Sequence, residues 1–145
     1  MLILLINSIV VSLTVIIHYE ILRFLFKKLP LLAVRPRLKI VLGVLGNMTA
    51  HTIEVWVFAV FYYGLLQYDG IGELRGNFDG SLLDCAYYSL TNFTSLGTGD
   101  IEPFGPIRFL SGIEALCGLV LITWSASFMF LEMQKYWAFE FDSNK

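Results

Sequence analysis

The chain has 145 residues, of which 57% are hydrophobic and 15% aromatic, and its formal net charge is −2. Soluble domains use roughly 45–50% apolar residues, so this composition argues against a soluble globular protein. The charge balance gives no basic surplus for binding nucleic acid, and Cys85 and Cys117 are too few for a metal cluster or a disulfide framework. No catalytic constellation, cofactor motif or small-molecule site stands out, so we expect a membrane protein that is not an enzyme.

The first element is an apolar segment at the amino terminus. No Asp, Glu, Lys or Arg occurs from Met1 to Tyr19, and the segment reaches the roughly 20 residues that a membrane-spanning helix needs. A cleaved signal peptide would have a basic region before the apolar run and a small-residue cleavage site after it, and neither is present. We therefore predict a transmembrane helix over residues 1–26.

A basic loop is predicted at residues 27–39. Six Lys and Arg side chains and no acid lie between residues 23 and 39, and Pro30 and Pro36 interrupt any helix. Short basic loops mark the cytoplasmic side, which places the amino terminus outside in a plasma membrane or bacterial inner membrane. Contact of the loop with anionic lipid is an alternative use of the same charges.

A second spanning helix is predicted at residues 40–66, with Glu54 as its only formally charged side chain. His51 lies three residues earlier on the same face. A carboxylate is too costly to face lipid, so this face is expected to point into protein. The pair, like Glu114 in the last helix, is interpreted as a buried polar anchor. A pH sensor and a metal site are the alternatives for the pair, and no third ligand is obvious for a metal.

A polar, Gly-rich connector is predicted at residues 67–80, on the outer side. Ser81 and Asp84 then form a capping-box arrangement. They predict a helix over residues 81–93, which is too short to span a bilayer. The chain is expected to enter the membrane here, turn in the loop that follows, and leave by the same side.

The last spanning helix is predicted at residues 107–135, and a short cytoplasmic tail at residues 136–145. Large apolar side chains recur at helical spacing towards the inner end of this helix and are candidates for a gate that closes by dewetting. Packing against other helices is the alternative for part of this stripe. The candidate hinge and gate residues are Gly118, Ile122, Ala126, Met129 and Met133.

The loop at residues 94–100 reads Thr-Ser-Leu-Gly-Thr-Gly-Asp. Two glycines one residue apart let a backbone run extended with its carbonyls on one side, and such carbonyls replace the hydration shell of an ion. One chain supplies one wall of a pore, so a homotetramer in the lipid bilayer is expected. The predicted ligands of K⁺ or another monovalent cation are the carbonyls of Ser95, Leu96, Gly97 and Thr98 and the Ser95 hydroxyl. The predicted outer mouth, whose acids concentrate cations, comprises Gly99, Asp100 and Glu102.

Residues 86–100 resemble the pore helix and filter of the potassium-channel superfamily, whose usual signature is Thr-Val-Gly-Tyr-Gly-Asp. The resemblance extends over residues 40–135 to the small bacterial ion-channel family with two pore-forming helices, to which the first helix is an addition. It implies an all-α membrane protein with three transmembrane helices, a re-entrant pore helix and a filter loop, assembled as a homotetrameric pore-loop channel.

The resemblance also marks where this chain departs from the family. Thr98 stands in place of the filter tyrosine and is too small to pack in the family's aromatic cuff. Thr91 stands where some relatives carry a glutamate that braces the terminal aspartate, so Asp100 is expected to lack that partner. Tyr87 and Tyr88 occupy positions of filter-bracing aromatic residues, and Gly118 falls near the hinge glycine.

The sequence therefore predicts a passive cation channel, with potassium as the expected ion and a weakly selective potassium and sodium channel as the alternative. A non-conducting membrane assembly protein on the same scaffold is a second class. A third class is a membrane redox protein that uses His18 and His51 as haem ligands. Their positions on antiparallel helices predict different depths, which disfavours this class.

Overall fold

The computed structural model describes residues 2–68 and 70–142. Within these residues the chain folds into four α-helices, one 3₁₀ turn at Leu29–Leu31 and two short strands. In chain order they are α1 (Leu2–Lys28), α2 (Pro36–Leu65), β1 (Glu73–Gly76), α3 (Leu82–Phe93), β2 (Ile101–Phe104) and α4 (Ile107–Asp142).

Three of the helices are long and apolar enough to cross a membrane, over Ile3–Leu31, Pro36–Leu65 and Ile107–Lys135. Large apolar side chains are exposed along all three, among them Leu5, Met48 and Leu116. Such surfaces are stable against lipid or against another protein, and not against water. The chain is an all-α membrane protein, apart from one small β-ribbon.

The connection between α1 and α2 is shorter than the sequence predicts. α2 begins at Pro36 rather than at residue 40, because a proline in the first helical turn removes a donor that would be unpaired there and has a φ already suited to a helix. Pro30 lies in the 3₁₀ turn that ends α1. At the other end of the chain, α4 continues to Asp142, through most of the segment where the sequence predicts a tail.

The two strands form an antiparallel ribbon that the sequence does not predict. Arg75 lies opposite Glu102 in the register, and the Asn77 amide donates to the Asp100 carbonyl at 2.9 Å. A Cβ at Gly76 would lie 2.1 Å from that carbonyl oxygen, so the approach requires glycine. The ribbon pairs the segment after α2 with the segment before α4, and α3 and the 94–100 loop lie between its two strands in the chain.

α3 is the short helix enclosed between α2 and α4. Its 12 residues span about 18 Å, well short of the roughly 30 Å hydrocarbon core. The predicted cap is confirmed, since the Asp84 amide donates to Ser81 Oγ at 3.1 Å. The helix therefore begins at the ribbon end of the bundle and stops inside it.

α4 touches the carboxyl end of α3 at Gly118. A Cβ at this position would lie 2.0 Å from the Phe93 carbonyl oxygen and 2.8 Å from the Phe93 carbonyl carbon. Both atoms belong to the backbone of the last α3 residue, so they cannot move aside as a side chain would. The missing side chain at Gly118 thus lets α4 pack directly against the end of α3.

We expect Gly118→Ala to destabilise the protein by at least about 3 kcal/mol, the upper end for overpacking, because the new methyl group overlaps fixed backbone. The measurement is the thermal unfolding midpoint of the detergent-solubilised protein. Gly112→Ala is the matched control on the same helix, since a Cβ there meets nothing within 4 Å. An equal midpoint for the two variants would contradict the contact.

Candidate functional site

The backbone of the 94–100 loop alternates between two conformations. Ser95, Gly97 and Gly99 have φ values of 57°, 56° and 75°, whereas Leu96 and Thr98 do not have positive φ. Ser95 is the only residue other than glycine with positive φ in the described part of the chain. L-residues avoid this region, and such outliers cluster at ligand-binding sites. The alternation thus marks the loop as a candidate site.

Glycine is needed in this loop for conformation and not for space. A Cβ at Gly97 or Gly99 would meet nothing within 4 Å, but only glycine adopts positive φ without strain. Residues 94–99 are all exposed in the single chain. The loop therefore presents an open surface whose shape is set by its backbone.

The amides of the loop fold back onto α3. Alternating conformations bring successive N–H groups to one side, and those of Leu96 and Gly97 both donate to the Thr91 carbonyl oxygen, at 2.9 and 3.2 Å. In a trans peptide the carbonyl points opposite to the N–H of the same unit. The carbonyls of Ser95 and Leu96 consequently point away from α3.

Four consecutive carbonyls of the loop are left without a donor. No backbone or side-chain group of the described residues donates a hydrogen bond to the carbonyls of Ser95, Leu96, Gly97 or Thr98. These are the carbonyls that the sequence predicts as ion ligands. An unpaired, exposed row of carbonyl oxygens is suited to binding a cation.

Thr98 is held by hydrogen bonds where the family resemblance implies aromatic packing. The Thr98 hydroxyl donates to the Asp100 carboxylate, and the Tyr87 hydroxyl donates to Thr98 Oγ1 at 3.3 Å. Thr91 does not reach Asp100, since its hydroxyl donates to the Tyr88 carbonyl at 2.9 Å. The hydroxyl of Thr98 in the same loop bonds Asp100 instead. The hydrogen bond from Thr98 holds the pKa of Asp100 below its usual value, so this carboxylate is charged at neutral pH.

Glu114 lies behind α3 at the centre of a buried polar network. Its carboxyl accepts from Ser89 Oγ at 2.5 Å and from the Tyr62 hydroxyl at 2.7 Å. Tyr88 and Ser111 are hydrogen-bonded beside it, with their hydroxyl oxygens 2.7 Å apart. The structure thus places Glu114 in an anchor between α2, α3 and α4. Its partners Ser89 and Tyr62 escape sequence reasoning, because an isolated hydroxyl carries no recognisable pattern.

A second buried cluster joins α1 to α2 through Glu54. The Glu54 carboxyl lies 2.7 Å from His18 Nδ1 and 2.9 Å from His51 Nδ1, through separate oxygens. The prediction that His18 and His51 lie at different depths is wrong, since their rings stack with centroids 5.4 Å apart. α1 continues to Lys28, so His18 lies ten residues before the end of its helix rather than the predicted eight.

The geometry of this cluster does not allow His18 and His51 to bind one haem. Two haem ligands approach the iron from opposite faces of the macrocycle. Here the Nδ1 atoms of His18 and His51 both point at the Glu54 carboxyl between stacked rings. A macrocycle has no place between them.

The candidate gate residues on α4 differ in how deeply they are buried. Ile122 and Ala126 are exposed in the single chain and Met133 is half-buried. Met129 is buried, with its Cε 2.9 Å from the position of a Cβ on Gly43. Met129 therefore packs on α2, which agrees with the packing alternative for this part of the stripe. Gly118, the candidate hinge, is the contact point with Phe93 described above.

A double-mutant cycle tests whether Tyr62 and Glu114 stabilise the protein through their hydrogen bond. Tyr62→Phe is expected to lower the free energy of unfolding by about 1–3 kcal/mol, because a buried carboxyl oxygen loses its donor. The same substitution in a Glu114→Met background is expected to have a clearly smaller effect. Thermal unfolding midpoints report the effect of Tyr62→Phe in each background. Tyr63→Phe is the control, because Tyr63 lies on the same helix and is 42% exposed. Equal shifts in the two backgrounds would disprove the coupling.

Comparison with known proteins identifies one family. Residues 50–135, more than half of the chain, match the family model described as "Ion channel". No curated protein and no solved structure matches the chain. The matched region includes the second half of α2, all of α3, the 94–100 loop and α4 as far as residue 135. The chain therefore belongs to this family of ion channels, of the two-helix potassium-channel type, with α1 added before the matched region.

Proposed function

We propose that the protein is a passive cation channel that conducts K⁺ through a homotetrameric, carbonyl-lined filter made of residues 94–100. The observation that carries this proposal is the row of four carbonyls, from Ser95 to Thr98, that accept no hydrogen bond from the described residues. A filter of this kind replaces the water around an ion with carbonyl oxygens. Membership of an ion-channel family, a kind of protein that is not an enzyme, supports the same conclusion.

The proposed tetramer rests on the exposure of the 94–100 loop in the single chain. Leu96 is 70% exposed in the single chain, although the helix before it is enclosed between two membrane spans. One loop coordinates an ion from one side only, and four loops around an axis complete the shell. A cyclic arrangement of four chains covers Leu96 and closes the ring.

The charges around the loop select a cation. α3 ends at Phe93, directly before the loop, and a helix carboxyl end carries partial negative charge. Asp100 and Glu102 follow the loop, two carboxylates per chain and therefore eight in a tetramer. Such a mouth concentrates cations and repels anions.

The proposed orientation follows from the basic residues around the α1–α2 connection. They place that connection in the cytoplasm, the amino terminus outside and the end of α4 inside a plasma membrane or bacterial inner membrane. The 94–100 loop then opens to the outside. The exposed Ile122 and Ala126, with Met133, are the residues proposed to narrow the inner end of the pore.

A weakly selective potassium and sodium channel is the second candidate, and Thr98 is the observation that favours it. Its side chain reaches Asp100 and Tyr87 through hydrogen bonds and offers no aromatic ring for packing. Hydrogen bonds of exposed groups compete with water and each contributes only about 0.5–1.5 kcal/mol. The outer half of this filter is therefore less firmly held than one packed by tyrosine.

Ion flux tests conduction directly. Purified protein in liposomes is expected to release K⁺ down its gradient, and a parallel Na⁺ gradient measures selectivity. Gly97→Ala is expected to abolish flux, since alanine is strained at a φ of 56°, while Gly112→Ala conducts normally. An intact tetramer that moves neither ion would contradict conduction and favour a non-conducting assembly protein.

Permeability ratios test the role of Thr98. Thr98→Tyr is expected to raise the K⁺ to Na⁺ permeability ratio at least about tenfold, which corresponds to about 1.4 kcal/mol of added discrimination. Thr98→Val keeps the size of the side chain but removes the hydroxyl that bonds Asp100, and it is expected to lower the ratio. An unchanged ratio in both variants would show that selectivity is set elsewhere in the chain.

A further inference from the structure

We propose that His18, His51 and Glu54 form a binding site for a divalent transition-metal ion, with Zn²⁺ as the best match. Taken alone, His51 and Glu54 are two ligands on one helix, which do not make a site. The fold supplies the third ligand, because α1 brings His18 beside His51 with its Nδ1 2.7 Å from the Glu54 carboxyl. Two imidazoles and a carboxylate are a ligand set typical of zinc sites that leave one position open.

The donor atoms converge on a small volume. One ligand atom from each of the three residues lies within 4.8 Å of the others. Zn²⁺ holds N and O ligands at about 2.0–2.2 Å, so two ligands of one ion lie at most about 4.4 Å apart. Both Nδ1 atoms already point at the Glu54 carboxyl, so the three donors are close to the separation that one ion requires.

The state of the His18 ring permits metal binding. His18 is fully buried, and its Nε2 has no hydrogen-bond partner among the described residues. Coordination through Nδ1 requires the ring proton on Nε2, and no donor in the described part of the chain blocks that tautomer. The ring is held instead by its neighbours, with the Trp124 ring centroid 5.2 Å away.

The charge of the cluster also favours a cation. Glu54 is fully buried, and the ion pairs that the described residues make with it come from the two histidines alone. A buried carboxylate without an opposite charge is strongly destabilised. A divalent ion supplies that charge at the point where the carboxylate oxygens are directed.

An entry route lies beside His51. A cavity of about 540 Å³ between α2, α3 and α4 has His51, Thr52, Tyr87 and Ile122 among its lining residues. His51 keeps 21% of its side chain exposed, whereas the other two ligands are fully buried. The cavity therefore reaches the cluster at its most exposed ligand, His51.

Metal content tests the site independently of conduction. Full-length protein in detergent is stripped with a chelator, dialysed against Zn²⁺ and measured by elemental mass spectrometry, with about one zinc per chain expected. His18→Gln and Glu54→Gln are expected to weaken binding at least about tenfold, the size of effect that even outer-shell changes produce. Glu132→Gln is the control, since Glu132 is an equally buried carboxyl on α4 and is expected to bind normally.

The outcomes separate a metal site from a proton-sharing cluster. The chain has only two histidines, His18 and His51, so imidazole ligands of a bound metal must come from them. Co²⁺ that binds with the visible absorption of tetrahedral nitrogen and oxygen ligands would therefore support the assignment. Wild-type protein that binds less than about one-tenth of an equivalent of zinc would overturn it, and would leave hydrogen bonds as the whole role of the three residues. Zinc binding that persists in His18→Gln would overturn it as well.

Discussion

The close approach of α4 to the end of α3 is the contact on which the rest of the structure depends. With no side chain at Gly118, the two backbones meet at Phe93, and the 94–100 loop begins one residue later. The amides of the loop then return to Thr91, in the last turn of α3. Because these amides donate to Thr91, the carbonyls of Ser95 and Leu96 point away from α3, and we propose that they bind an ion. The carboxyl end of α3 thus orients the amides and carbonyls of the loop.

Two buried polar clusters keep α3 and its surroundings in register. Glu114 binds hydroxyl groups of α2 and α3, and Glu54 binds histidines of α1 and α2. Apolar packing alone distinguishes poorly between helix registers in lipid, because lipid chains are as apolar as the side chains. Specific hydrogen bonds make the register unique. The added helix α1 is therefore joined through buried polar contacts to α2, the helix that also bonds Glu114.

Local signals in the sequence predict much of this structure. Hydropathy predicts the three spans, Ser81 and Asp84 predict the start of α3, and the spacing of Gly97 and Gly99 predicts an unusual backbone. Features that depend on distant residues are missed: the ribbon is too short for a strand pattern, and Met129 packs on Gly43 of another helix. The pairing of His18 with Glu54 likewise depends on how α1 crosses α2. Helical spacing alone does not distinguish a pore-facing side chain from one in a helix interface.

The central claim is that the carbonyls of residues 95–98 bind permeant cations around a shared axis. An electron cryomicroscopy structure of the assembled protein in K⁺ tests it most directly. The account predicts four chains with their 94–100 loops facing the axis and ion density level with the Ser95, Leu96, Gly97 and Thr98 carbonyls. A well-resolved assembly in which these loops face away from the axis, or in which the axis carries no ion density, would contradict it.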